Sequence, residues 1–437
     1  MEENKITDKK HEINRELFKT ELEFLDGNMA WRPTVNQHPL VRSGFHCPDR
    51  VVICDQTLRE GEETPGVCLS LGNRLEIARK LEEVGISEIE VGYVGAIPEH
   101  AQFSRELKRE GTKLKLVSHT RIYTKSDEWK KELDMAVDAG SDILCLLAHG
   151  SNTLVKTTPW LPLEAIPERV AEAIEYTKTL GVVPTLTLVD GVRTPLQNFI
   201  DIYKVAAKAG VKRVYVMDGQ GVALPETAYF LVRLLRGIVG KDVEIALHFH
   251  DDYGLATANT LAGIKAGAEV ADTVVAGLGD KAGIAATEEV IMSLENLYDV
   301  RTGVNAKLLY ELAETVSRIF KVTLAPNKAI VGSNIVRHQI DSHLNTLLRG
   351  YWWAWESIKP EFFGRQRTLE WAKGKLRTGD RSGSIATKIE NMGFEVTEYE
   401  WKLIVEEVIN QVECHEKIYE DQLEEIIIRT LKGGKNK

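Results

Sequence analysis

From Val51 the chain repeats one unit: a short apolar run, a polar loop, an amphipathic stretch, then another apolar run roughly 30 residues after the last. Apolar runs at 51–54, 88–93, 114–118, 142–147, 183–189, 212–217, 243–249 and 270–275 read as strands. Between them lie segments such as LGNRLEIARKLEEVG and VAEAIEYTKTLG, whose apolar residues recur at helical spacing and whose closing glycine suits the left-handed residue after a last helical turn. Eight such units predict an α/β fold, a closed (β/α)8 barrel of about 250 residues, with chemistry at the C-terminal ends of its strands. Asp55, Glu90, His119, Arg121, Asp190, Asp218, His248 and His250 all fall at or near those ends.

Two stretches concentrate the candidate chemistry. Val243, Ile245, Ala246 and Leu247 lead into His248-Phe249-His250, and a strand's period of two puts both imidazoles on one face. Such a pair suits a divalent metal, although a lone His-x-His equally describes surface or hydrogen-bonded histidines. The run Val51-Val52-Ile53-Cys54 delivers Asp55, followed by Thr57, Arg59 and Glu60 in a polar loop. Asp55, His248 and His250 would together form a mixed nitrogen and oxygen site with open positions for substrate oxygens.

The segment DQTLREGEETPGV at 55–67 resembles the DxTLRDGEQ signature of the isopropylmalate, homocitrate and citramalate synthases and of hydroxymethylglutaryl-CoA lyase, which are metal-dependent TIM barrels. Residues 247–290 resemble the second signature of that group, and PNKAIVGSNIVRHQIDSHLNTLLR at 326–349 resembles the segment after the barrel in the synthases. The resemblance implies a (β/α)8 TIM barrel followed by small, mostly helical C-terminal subdomains. It also implies a divalent cation, manganese or magnesium, and acetyl-CoA and a 2-oxo acid as substrates. Arg59 is then expected at the developing oxyanion, with a salt bridge to Glu60 or Glu62 as its alternative use. Glu60 is a weaker candidate for proton transfer. His343 matches a histidine that the subdomain offers to the active site, whereas His338 reads as structural.

Composition narrows the alternatives. At 43% hydrophobic residues the chain can bury a large core, and a net charge of −10 offers no general attraction to nucleic acid or anionic lipid. Five scattered cysteines without CxxC spacing point to a reducing compartment. The charged start carries no signal-peptide core, and no run approaches a membrane span, so a soluble, cytoplasmic protein is expected. The domain reading is a leader over 1–49 (a charged helical start, then an extended arm), the barrel over 50–302 and subdomains over 303–437, with a helix expected from Val304 to Phe320. The chain ends where isopropylmalate and citramalate synthases usually carry a regulatory domain, so amino-acid feedback is not expected. The aromatic patch YWWAWE, which a small isolated subdomain would leave exposed, and the resemblance together point to a homodimer or larger assembly in which His343 serves a partner's barrel.

Departures from the group's pattern fall in the oxo-acid half of the pocket. Ile284 stands where an asparagine ligates metal in some members, Thr185 where the strand-five arginine grips the distal carboxylate of 2-oxoglutarate, Gly219 where strand six carries a threonine, and Trp355 where the post-barrel segment has a tyrosine. A changed acceptor is the expectation: oxaloacetate, giving citrate of the Re type, with His119, Arg121, Arg193 and Asp190 binding it. Homocitrate, isopropylmalate or citramalate synthesis is the alternative. A hydroxymethylglutaryl-CoA-type lyase shares the barrel, the metal and Arg59, and a non-catalytic binding protein on the same barrel is the third reading.

Overall fold

The computed structural model describes residues 33–156, 161–379 and 381–433. The expected helical start of the leader lies outside these residues. Two compact units result, one spanning His38–Leu324 and one made of the chain from Ala325 onward together with the described residues up to Gln37.

The first unit is a closed barrel of eight parallel strands in sequence order. These are β1 (Val52–Asp55), β2 (Glu88–Gly92), β3 (Lys115–Arg121), β4 (Ile143–His149), β5 (Val183–Val189), β6 (Arg213–Asp218), β7 (Glu244–Phe249) and β8 (Val270–Thr273). All eight coincide with the apolar runs read from sequence to within a few residues. The barrel closes where β1 meets β8, with Val52 opposite Val270 and Asp55 opposite Thr273.

Each strand is followed by a helix: α1 (Leu71–Val84), α2 (Pro98–Arg109), α3 (Glu128–Asp138), α4 (Ile166–Thr179), α5 (Leu196–Ala209), α6 (Pro225–Val239), α7 (Ala256–Lys265) and α8 (Thr287–Ser293). Local chemistry sets the limits of α1. Ser70 and Asn73 satisfy each other's backbone N–H groups at its start, and Gly85 ends it at φ 99, a conformation that costs glycine little. The helix expected from Val304 begins instead as a 3-10 turn at Ala306–Leu308 and continues as α9 (Leu309–Phe320), the last helix of this unit. The arm is not extended throughout, since Pro39–Arg42 forms one helical turn behind His38, whose Nδ1 accepts from Leu40 N–H. Beyond it Arg42 pairs with Asp299, and Gly44 accepts a hydrogen bond from Tyr229 of α6.

Alternate residues of the strands point inward, and at the N-terminal end the barrel is bolted across its interior. Arg213 of β6 donates from Nη1 and Nη2 to the two oxygens of Glu88 of β2 at 2.7 and 3.1 Å, with both side chains buried. Such a fork compensates charges that would be costly alone. The opposite face of each strand carries aliphatic residues, such as Leu144 and Leu146 or Ile245 and Leu247, all fully buried.

The second unit contains α10 (Asp341–Leu348), α11 (Ser384–Asn391), α12 (Glu398–His415) and α13 (Glu420–Gly433). It also has a three-stranded sheet that sequence patterning missed. There β10 (Thr368–Ala372) lies between β9 (Arg337–His338) in parallel and β11 (Lys417–Tyr419) in antiparallel. Trp371, Trp401, Ile404 and Ile427 form its core. Among the described residues no helix is long and apolar enough to cross a membrane.

Candidate active site

The C-terminal mouth of the barrel holds a metal-competent cluster, but not with the expected carboxylate. Ligand atoms of Glu60, His248 and His250 lie within 4.8 Å of one another. The two Nε2 atoms are 3.4 Å apart, and His250 Nε2 is 3.8 Å from a Glu60 oxygen. Asp55 belongs to a different neighbourhood. It follows Cys54, and strand alternation turns its carboxylate to the other face, where it accepts from Thr57 N–H at 2.9 Å and from Thr287 Oγ1 at 3.1 Å. A turn at Thr57–Glu60, in which the Gln56 carbonyl accepts from Arg59 and Gly61, carries Glu60 back over the mouth. Glu60 therefore replaces Asp55 in the triad read from the sequence. Burial raises Asp55 to about 6 against the hydrogen bonds from Thr57.

The donor set fits a divalent ion. Burial lowers both imidazoles to about 4, so each is neutral near pH 7. Asp272 Oδ2 lies 3.1 Å from His248 Nδ1, so that an ionised Asp272 would place that ring's proton on Nδ1 and leave Nε2 to the triad, although burial raises Asp272 to about 8. Burial would raise Glu60, yet Arg59 and the two imidazoles hold it down to about 2. It stays an anion there, which suits it to hold a cation better than to carry a proton. Ile284, in place of a ligating asparagine, is a buried residue whose backbone bridges to His250.

Arg59 is the most constrained side chain of the site. Its Nε donates to Glu90 at 2.6 Å, Nη2 to Gln56 at 2.7 Å and to Glu90 at 3.0 Å, and Nη1 to Glu60 at 2.5 Å. Of its expected partners Glu60 is present, while Glu62 turns away to Arg74. The same Glu90 carboxylate lies 3.0 Å from His119 Nδ1. Burial, then Arg59, push the His119 imidazole well down, so it is neutral. Nothing in the sequence marked Glu90 as the partner of Arg59 beyond a charge inside an apolar run.

Arg59, His119, Arg121 and His248 share a cavity of about 150 Å3. Its wall from β4 to β6 is formed by the apolar side chains of Leu147, Val189 and Met217 together with Thr187 and Tyr215. Arg121, at the end of β3, lies 4.3 Å over the ring of Tyr93 and pairs with no carboxylate among the described residues. Tyr93 and Tyr123 line the cavity beside it; each follows a strand end by one or two residues, a signal that sequence reading passed over. Asp190 and Arg193 are not part of this wall. They pair with each other at 2.5 Å in a turn where Asp190 adopts φ 63. Thr185 is buried lower on β5, its hydroxyl directed at the Leu144 carbonyl. Beside Gly219 a Cβ would meet only Met217, at 4.0 Å, and the Gly219 carbonyl accepts from Lys281.

His343 sits on α10 of the second unit, stacked on Trp355 with ring centroids 3.6 Å apart. His338 is structural by its contacts: Nε2 lies 3.1 Å from Glu356, which Arg367 grips with two nitrogens at 2.6 Å.

The sequence profile of the HMGL-like family matches residues 50–316. Homocitrate synthase AksA of Methanopyrus kandleri is 33% identical over 407 residues, covering 91% of this chain and 97% of that protein. The 2-isopropylmalate synthase of Methanocaldococcus jannaschii is 33% identical, covering 88% of this chain and 76% of that protein. A protein assigned as (R)-citramalate synthase CimA in Methanopyrus kandleri is 36% identical over 80% of this chain and 66% of its own length. In fold, the barrel is similar to the hydroxymethylglutaryl-CoA lyase of Pseudomonas aeruginosa, with a TM-score of 0.57 at 19% identity over 66% of this chain and 98% of that one.

Proposed function

The chain belongs to the HMGL-like family, with the homocitrate, isopropylmalate and citramalate synthases as relatives, and on that premise we propose that it condenses acetyl-CoA with a 2-oxo acid, specifically oxaloacetate, to give citrate. Relatives named as synthases support the class of reaction. The acceptor rests on one observation: Arg121 brings to the 150 Å3 cavity a positive charge that forms no salt bridge with a carboxylate among the described residues, Glu132 acting on it only from farther off. A dicarboxylate puts its distal group there, since a buried carboxylate without a partner would cost several kcal/mol.

In this reading the acetyl methyl loses a proton to an acid–base residue, assigned to His343, and the resulting carbanion bonds to the oxo carbon. Arg59 faces the oxygen that becomes an alkoxide. Its fork is fixed beforehand by Glu90, Gln56 and Glu60, so little reorganisation is needed when charge develops. Protonation of the alkoxide and hydrolysis of the thioester then release CoA. A divalent cation, manganese or magnesium, held by Glu60, His248 and His250, would supply Lewis-acid stabilisation of that oxygen. Neutral His119, held beside Glu90, contributes a hydrogen bond and no charge. His343 is delivered by a second copy of the chain in a homodimer or larger assembly, in the cytoplasm. Subunit exchange between His343→Ala and Glu60→Ala proteins should then restore part of the activity.

The apolar stretch of Leu147, Val189 and Met217 favours a second reading, with pyruvate as acceptor and citramalate as product. A panel of oxaloacetate, pyruvate, 2-oxoglutarate and 2-oxoisovalerate with acetyl-CoA, followed by thiol release, separates the two. Oxaloacetate is expected to give the highest kcat/KM. Pyruvate in first place would replace citrate by citramalate, and release of acetoacetate from hydroxymethylglutaryl-CoA without any condensation would assign the protein to lyase chemistry.

A further inference from the structure

The second unit carries a pocket of about 460 Å3, lined by Arg337, His338, Gln339, His343 and Lys375 with Asn334 and Ile340, and of these the reaction just described uses only His343. No carboxylate lines it. Two buried carboxylates stand behind it: Glu356, held by His338 and Arg367, and Glu370, fully buried on β10. Glu370 accepts from Arg337 Nε and Nη2 at 2.7 and 3.0 Å and from Gln339 Nε2 at 2.5 Å, and Lys417 stands 3.5 Å away. One carboxylate thus serves two cations and an amide.

Lys375 adds a third positive charge. Its Nζ donates to the Oε1 of Gln339, the amide whose nitrogen is bound to Glu370, and it reaches no carboxylate among the described residues. The buried Glu370 fixes Arg337 and Gln339, Gln339 in turn orients Lys375, and the spare N–H groups of the arginine and the lysine are left to the pocket. In a chain of net charge −10 an excess of cations held in place this way needs an anion to offset it.

We propose that this pocket binds phosphate groups. Guanidinium and ammonium donors set side by side match several oxygens of one phosphate or pyrophosphate. The pocket has about three times the volume of the barrel cavity, room for a diphosphate. Two sources share this chemistry: the ADP moiety of CoA, and a free phosphate compound. Naming CoA rests on the synthase reading; the phosphate pocket itself does not.

Calorimetric titration of the full chain with inorganic pyrophosphate, CoA and dephospho-CoA tests it, beside steady-state kinetics. Lys375→Ala is the informative variant because the residue is exposed and its loss strands no buried charge. It should weaken pyrophosphate about tenfold and, if CoA is the carrier, raise the KM for acetyl-CoA about tenfold with kcat and the oxo-acid KM unchanged. Loss of pyrophosphate binding alone, with CoA unaffected, would assign the pocket to a free phosphate compound. Failure of pyrophosphate to bind the unmodified protein, or equal binding by Lys375→Ala, overturns the proposal. Lys375-dependent pyrophosphate binding by a protein that condenses no oxo acid would instead keep the pocket and reject the synthase.

Discussion

The Nε2 atoms of His248 and His250 face each other at 3.4 Å, with a Glu60 oxygen 3.8 Å from the second. Two neutral imidazoles and an anion that Arg59 helps to keep ionised form a ready donor set, and Asp55 is excluded from it by its hydrogen bonds to Thr57 and Thr287. Treatment with a chelator should abolish turnover and metal add-back should restore it. Glu60→Ala and His248→Ala should lose metal affinity by about a hundredfold or more and stay inactive after add-back. Asp55→Asn should keep the metal and melt earlier, because it disturbs the hydrogen bonds between β1 and the start of α8. Metal content after dialysis decides. Retention by Glu60→Ala with loss from Asp55→Asn would return the ligand role to Asp55.

Arg59 spends four of its five N–H donors on the protein, and the remaining Nη1 proton has only Glu63 near it, at 3.6 Å and half exposed. That proton is the one free to meet an oxyanion. Arg59→Lys keeps the charge but cannot hold Glu90, Gln56 and Glu60 together. A loss in kcat of about a hundredfold is expected, with the KM for acetyl-CoA little changed. A change confined to that KM would remove Arg59 from the reacting centre and make it a binding residue.

The barrel was legible because its eight strands are buried on both faces, so their apolar runs stand out without any knowledge of partners. The site was legible only in part. His248 and His250 follow from strand alternation alone. The Asp55 error had the same source: the alternation that pairs two histidines also turns Asp55 away from Cys54, and only the turn at 57–60 brings Glu60 round. Glu90 was placed at a strand end without its partner and Asp272 was not singled out, because a single carboxylate inside an apolar run does not name its partner, which here lies on another strand or the loop after it. The sheet of the second unit was missed since β9 and β11 are two and three residues long, too short for any periodicity to register.

His100 gives the fold a pH dependence separate from the site. Its Nδ1 accepts from the Tyr93 N–H at 3.0 Å and it packs on Gly92, where a Cβ would come within 2.4 Å of the ring. Burial lowers it to about 4, against an ordinary value of 6.5. The folded state therefore binds the proton less well than the unfolded chain. The contribution is complete above pH 6.5 and is lost as pH falls toward 4. His100→Asn supplies an acceptor that does not titrate. Urea unfolding at pH 7 and pH 4.5 should show the unmodified protein losing about 2 kcal/mol more than the variant over that interval. Parallel losses would mean that His100 is not a titrating group of the fold.

Arg121 and Arg193 were equal candidates on sequence and are unequal in the structure. Arg193 is held by Asp190 at 2.5 Å outside the cavity wall, whereas Arg121 lies on that wall between Tyr93 and Tyr123 with no salt bridge to a carboxylate among the described residues. A distal carboxylate bound there gains a charged hydrogen bond, and an acceptor with a methyl group at that end gains nothing from it. Arg121→Gln should therefore reduce kcat/KM for oxaloacetate by about 2 kcal/mol, a factor of roughly 30, and leave pyruvate within a few-fold of its original rate. Arg193→Gln should change the ratio between the two acids little. If Arg121→Gln lowers both acids equally, the guanidinium acts on something common to them, the reacting carbonyl end or the packing of Tyr93, and the preference for a dicarboxylate must then be sought at another residue.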